Sequence, residues 1–191
     1  THSLRRRKLT ILSDFVRKKL RPIEFEFITL PFEIMAVGRS KITTEIGLYL
    51  DVQLIVDRYT EIAGKIVNKM APYHYAAISF QKDEKGRFRY FVGTCVTMFQ
   101  CGSKRTMDAE EITVPGNVLC AHAAVWARNN ADLTVQVGKA RRIFYEEVLP
   151  ACSYKQSNEV ECIELYGPAS RQNMPMLDLY FPFEVISGEK E

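Results

Sequence analysis

The sequence predicts an α+β domain made of two related modules, each ordered strand, helix, strand, strand. They join into one antiparallel sheet with two long helices on one face and a ligand groove opposite. Three observations predict it. The stretch Ile112-Thr113-Val114-Pro115 repeats Ile28-Thr29-Leu30-Pro31 at an offset of 84 residues. Each copy is followed by a run with helical spacing, and then by two strand-like runs joined by a turn. A period this long that occurs twice points to a duplicated module paired about a pseudo-twofold axis, because two units cannot form a repeat array.

The first 22 residues stand apart from this pattern. They carry eight Lys and Arg against the single Asp14, a balance of +7, so the rest of the chain is −4 given the overall +3. Leu4, Ile11, Leu12, Phe15, Val16 and Leu20 recur at helical steps, so Ser3–Leu20 reads as an amphipathic basic linker helix that Pro22 stops. Such an arm either touches nucleic-acid phosphates or is a solvated tether. The body is expected to run over residues 23–187, with half 1 at about 23–98 and half 2 at about 110–187.

Ile23–Gly38 is an extended segment with an irregularity at Leu30-Pro31. Thr43 or Thr44 then offers a helix cap, and Leu48, Val52, Ile55, Tyr59, Ile62, Ile66 and Met70 make one apolar stripe that Pro72 terminates. Tyr73–Gln81 and Arg87–Met98 read as a hairpin around Lys82–Gly86. In the second half, Asn130 or Asp132 caps a helix whose apolar face is Leu133, Val137, Ala140, Phe144 and Val148. Glu159–Tyr166 and Met176–Val185 are the strands of a second hairpin. A module of about eighty residues buries too little alone, so two must share a core, and the cleft at their boundary is where a small ligand fits.

Composition and motifs exclude several function classes. With 47% hydrophobic and 26% charged residues the chain is globular, and no apolar run approaches a membrane span, so a cytoplasmic protein without a membrane partner is expected. The five cysteines are widely spaced with no CxxC pair, which argues against a disulfide framework or zinc knuckle. Cys120 and His122 share a strand face but lack further ligands nearby, so no metal is expected. Neither phosphate-cradling loops nor a nucleophile elbow occurs, and no cofactor is implied.

Several short stretches, in order along the duplicated pattern, resemble the GyrI-like ligand-binding domain, the effector-binding part of AraC- and MerR-type bacterial transcription regulators. They are Leu30-Pro31 with Ala36-Val37-Gly38; the run Gly86, Phe88, Tyr90, Gly93; and Ile112, Val114, Pro115, Gly116. Tyr145 with Leu149, Pro150 and Tyr154, then Glu164-Leu165-Tyr166, then Leu179-Tyr180-Phe181-Pro182 complete the set. The family usually places an aromatic after the second Pro-Gly, where this chain has Asn117–Ala121 without one.

The resemblance implies a groove lined by aromatics and holding a glutamate, binding amphipathic or cationic aromatic small molecules, as in multidrug recognition. Glu164 is the matching glutamate. Strand alternation puts Val160, Cys162, Glu164 and Tyr166 on one face and Glu161, Ile163 and Leu165 on the other. A carboxylate on an apolar wall needs a cationic ligand, a tyrosine hydroxyl or its own proton, whereas at a strand edge it would sit in water. The apolar run Leu177, Leu179, Phe181 and Phe183 belongs under the helices, which leaves Tyr90, Tyr166 and Tyr180 for the groove, with Phe88 beside Tyr90. Trp126 either stacks on a ligand or plugs strand against helix; Tyr49 and Tyr145 either cap the core or face the cleft.

The function these readings imply is small-molecule sensing in a bacterial transcription regulator. A small-molecule effector and a homodimer partner are expected, and DNA is contacted only through a domain outside this chain. Relatives of the family also include small-molecule hydrolases and proteins that sequester ligands or associate with DNA gyrase. In a hydrolase Glu164 would be the general base.

Overall fold

The computed structural model describes residues 23–73, 75–99, 109–152 and 154–186 of the 191-residue chain. The basic helix expected over Ser3–Leu20 lies outside the described residues. The strands are β1 (Glu26–Thr29), β2 (Ile34–Thr44), β3 (Tyr75–Phe80), β4 (Arg87–Val96), β5 (Glu110–Val114), β6 (Leu119–Trp126), β7 (Tyr154–Gln156), β8 (Val160–Tyr166) and β9 (Met176–Val185). Helix α1 (Glu45–Ala63) follows β2 and helix α2 (Asn130–Ile143) follows β6. All strand pairs are antiparallel, in the order β1-β6-β9-β8-β3-β4-β2-β5, with β7 added to β9.

Local chemistry sets the helix limits. The Thr44 hydroxyl accepts from the Gly47 amide, and the Asn129 side chain accepts from Asp132. Each satisfies an amide the first turn leaves orphaned. Helix α1 stops at Ala63 instead of running to Met70. Beyond Gly64 the chain turns at Asn68, which has a φ of 58°, and the Met70 amide donates to the Cys95 carbonyl at 2.8 Å, while Ile66 stays buried. After α2, one wide turn at Phe144–Val148 leads into Leu149–Ala151, with the Leu149 amide bonded five residues back to Phe144. That widening accommodates Pro150, which has no amide hydrogen and clashes with a regular preceding turn.

The repeated Ile-Thr-x-Pro stretches do not stay in their own halves. β1 pairs with β6 and β5 pairs with β2, so each half receives its outer strand from the other. In a flat sheet β1 and β2, six places apart, would be about 29 Å from each other. The link Leu30–Glu33 spans about 18 Å at most. The sheet must therefore curl, and both links, residues 30–33 and 115–118, cross the face away from the helices, where the Leu30 amide donates to the Val118 carbonyl at 2.8 Å and the Leu30 carbonyl accepts from the Asn117 amide at 3.0 Å.

This corrects the expected position of the groove. The face opposite the helices is filled by Leu30, Ile34, Ile78, Phe91, Ile163 and Leu165, with Phe32 and Val118 packed over them from the crossing links. α1 packs on β2 and β4 through Ile55 and Ile62. α2 packs on β6, with Leu133, Ala140 and Phe144 against Leu177, Leu179 and Phe181. The central strands β3 and β8 run between the two helices.

Candidate functional site

Glu164 faces the helices from the middle of β8, opposite Ala77 of β3 and beside Leu179 of β9. It is 5% exposed. The Tyr166 hydroxyl donates to Glu164 Oε2 at 2.8 Å, and Arg141 Nη1 of α2 lies 3.8 Å from Oε1. Burial raises the Glu164 pKa above the ordinary carboxylate value, with Arg141 and the tyrosine hydroxyl working in the opposite direction. The cause is the low-dielectric wall that β3, β4 and β8 provide.

An aromatic rim surrounds this carboxylate on the half-1 side. Tyr166 stacks on Tyr75, its partner across the β3–β8 seam, with ring centroids 4.1 Å apart at 12°. Tyr75 in turn lies 6.3 Å from Tyr59 of α1, whose hydroxyl shares a 2.7 Å hydrogen bond with Thr94. Burial, and next the charge of Glu164, push the Tyr75 hydroxyl up to about 12. Tyr90 and Phe88 are buried on the same face with Ile55 and Val92. Tyr90 is raised well above its usual value, first by burial and then by Glu164. These hydroxyls therefore stay protonated across physiological pH and serve as neutral donors and ring faces.

On the half-2 side lies a second carboxylate. The register between β3 and β8 slips between Ser79 and Phe80, so that Phe80 pairs with Val160 and Glu161 is the extra residue. Glu161 therefore joins the helix face, and Val160 packs into the opposite core with Ile163 and Leu165. Simple alternation predicts the reverse for both. Arg141 Nη2 donates to Glu161 Oε1 at 3.0 Å and Nη1 to Ser79 Oγ at 3.1 Å. The Tyr145 hydroxyl donates to the Glu161 backbone carbonyl at 2.5 Å. At the outer edge Lys82 stands 3.9 Å from Glu161 Oε1 and pairs with Glu45 at 2.5 Å.

The other sequence-predicted residues lie elsewhere. Tyr180 is buried on the face away from the helices, tilted against His122 at 4.8 Å. It sits there because the register pairs it with Ile163, not Glu164. His122 Nε2 meets Asp178 Oδ1 at 2.9 Å. Trp126 is 40% exposed at the end of β6, and Tyr49 is 79% exposed on the outer side of α1. Tyr145 caps the α2 core against Phe144 and Phe181. Among the described residues no group of three His, Cys, Asp or Glu side chains could hold a metal ion.

Sequence reasoning gives no site role to Arg141, Tyr75, Tyr59 or Glu161, placing Tyr59 in the α1 stripe and Glu161 on the opposite face of β8. A signal for Arg141 exists, since it stands one turn beyond Val137 on the flank of the α2 apolar stripe. Tyr75 and Tyr166 are adjacent only because of the cross-module pairing, which no local pattern reveals.

No protein-family model and no curated protein sequence matches this chain. Solved structures do. The chain is similar to SAV2435 bound to tetraphenylphosphonium, with 11% identity and a TM-score of 0.61 over 84% of this chain and 94% of that one. The fold is GyrI-like. The EcmrR C-terminal domain, at 13% identity and a TM-score of 0.56, aligns over 87% of this chain and all of that one. EcmrR in its complex with DNA, at 16% identity and a TM-score of 0.59, aligns over 97% of this chain and 73% of that one. In this chain the carboxylates stand at the seam of the two modules, where β3 pairs with β8 and Arg141 of α2 reaches both strands. Among the described residues no helix is long and apolar enough to cross a membrane.

Proposed function

We propose that this chain is a small-molecule sensor domain that takes a lipophilic aromatic cation between α1 and α2, and that it acts on an attached DNA-binding domain outside this chain. The observation that carries the reading is Glu164: a carboxylate 5% exposed, held by one tyrosine hydroxyl and a guanidinium 3.8 Å away. An ionised carboxylate so placed costs several kcal/mol unless it is compensated. A bound cation supplies the compensation, and the rings of Tyr75, Tyr166 and Tyr59 offer faces for cation–π contact.

The GyrI-like neighbours support this reading, since one was solved with tetraphenylphosphonium and another with DNA. Sensing further requires that the ligand prefer one arrangement of the protein over another. Arg141 ties α2 to β3 through the Ser79 hydroxyl and to β8 through Glu161 and Glu164, so a cation entering beside those carboxylates competes with a contact that positions a helix.

The test is equilibrium dialysis of tetraphenylphosphonium against its neutral analogue triphenylphosphine oxide. The cation is expected to bind one per chain and at least about tenfold tighter, in line with a charge-assisted contact. Equal affinity for the two compounds, or binding of neither, overturns the proposal.

A further inference from the structure

The helix-face cluster holds more negative charge than its own cations balance. Glu161 is 3% and Glu164 5% exposed, and both face the single guanidinium of Arg141, at 3.0 and 3.8 Å. Glu161 Oε2 is buried and has no hydrogen-bond partner among the described residues. Lys82 does not complete the balance. It stands 3.9 Å from Glu161 against 2.5 Å from Glu45, which it already neutralises at the solvent edge. Two buried carboxylates with one guanidinium leave one net negative charge for a ligand to meet.

From this arrangement we infer that Arg141 sets the charge of the ligand: by cancelling one of the two carboxylates it makes the site fit a singly charged cation and disfavour a dication. This inference rests on the reading that Glu164 receives a cation, and it goes further by assigning the ligand's charge and the residue that determines it. Ser79 and Glu161 fix the guanidinium by hydrogen bonds to Nη1 and Nη2, so Arg141 is held in place as a resident counter-ion. Without it, Glu161 and Glu164 would present two negative charges to the same space.

Ethidium and propidium share one fluorescent phenanthridinium ring system and carry one and two positive charges, so their affinity ratio reads the charge preference. The wild-type chain is expected to favour ethidium. In Arg141→Gln the ratio of ethidium to propidium affinity should fall by about tenfold or more, the scale of a unit charge a few ångströms away at an effective dielectric constant of about 20. The double variant Arg141→Gln/Glu161→Gln returns the site to one net negative charge and should restore the wild-type ratio. A purely structural role for Arg141 predicts no such rescue.

Glu161→Gln alone keeps the arginine and neutralises the cluster. It should weaken ethidium about tenfold or more, and it serves as the test if Arg141→Gln does not fold. An unchanged ratio in a folded Arg141→Gln, no rescue in the double variant, or full ethidium affinity in Glu161→Gln overturns the inference. Those outcomes leave the cation site standing provided Glu164→Gln still weakens ethidium. If the wild type binds ethidium no better than Glu164→Gln does, the cation site itself fails.

Discussion

Replacing Glu164 by Gln removes the charge while keeping the volume and an oxygen that can accept from Tyr166. The cost for a bound monocation can be worked from the geometry. A positive centre about 5 Å from the carboxylate, at an effective dielectric constant of about 20, is attracted by about 3 kcal/mol. Some of that is offset, because Arg141 at 3.8 Å and the Tyr166 hydroxyl already compensate the free carboxylate. A loss of about 1.5–3 kcal/mol is the expected net, equal to about a 10- to 150-fold weaker dissociation constant. Isothermal titration with tetraphenylphosphonium measures it directly. Because Glu164 is 5% exposed, the ratio between wild type and variant should change little between about 0.15 M and about 0.5 M salt. A loss below about twofold, in a variant with an unchanged circular dichroism spectrum, would mean that Glu164 does not meet the cation. So would a large loss that disappears at high salt, which would place the cation on the surface.

Stability gives further tests. Burial raises the Glu164 pKa in the folded chain alone, so the folded state keeps a proton that the unfolded chain has lost. That contribution is complete below the ordinary value of 4.5 and drains away as pH rises through the folded-state value. Chemical denaturation should show wild type losing stability relative to Glu164→Gln as pH rises from 4 to 8, and a parallel pair of curves contradicts the burial. Gly38 and Gly93 face each other across β2 and β4, and a Cβ on Gly38 would stand 2.1 Å from the Val92 carbonyl oxygen. Gly38→Ala should therefore cost at least about 1–3 kcal/mol, and a neutral effect in urea unfolding would show that the strands are not this close. Tyr145→Phe deletes the hydroxyl that donates to the Glu161 carbonyl and should cost about 0.5–1.5 kcal/mol with the ring packing retained.

Much of the architecture was legible because it rests on periodicities that act locally. The α1 stripe and the Thr44 cap, the alternating runs of β4 and β9, and the Ile-Thr-x-Pro repeat all follow from spacing within a few residues. The repeat's consequence was not legible. Exchange of β1 and β5 between the halves depends on pairing partners roughly 70 to 95 residues away, and it turns the face opposite the helices from a groove into a packed core. The candidate site divides in the same way. Glu164 and Tyr166 share a face by simple alternation, and the family resemblance singled them out. Tyr75, Tyr59 and Arg141 come from other elements and reach the carboxylate only through tertiary packing. Glu161 was assigned to the wrong face because one extra residue in β8 shifts the alternation, and nothing in Val160-Glu161-Cys162 marks a bulge. Tyr180 shows the converse, a strand tyrosine of suitable chemistry that the register aims at His122.

In the proposed binding mode the cation sits between the two helices against Glu164. A crystal of the chain grown with tetraphenylarsonium locates it, because arsenic scatters anomalously and marks its own position. An anomalous peak is expected within about 6 Å of the Glu164 carboxylate, on the side bounded by Tyr75, Tyr166 and Arg141. A peak on the other face of the sheet, beside Tyr180 and His122, would contradict it.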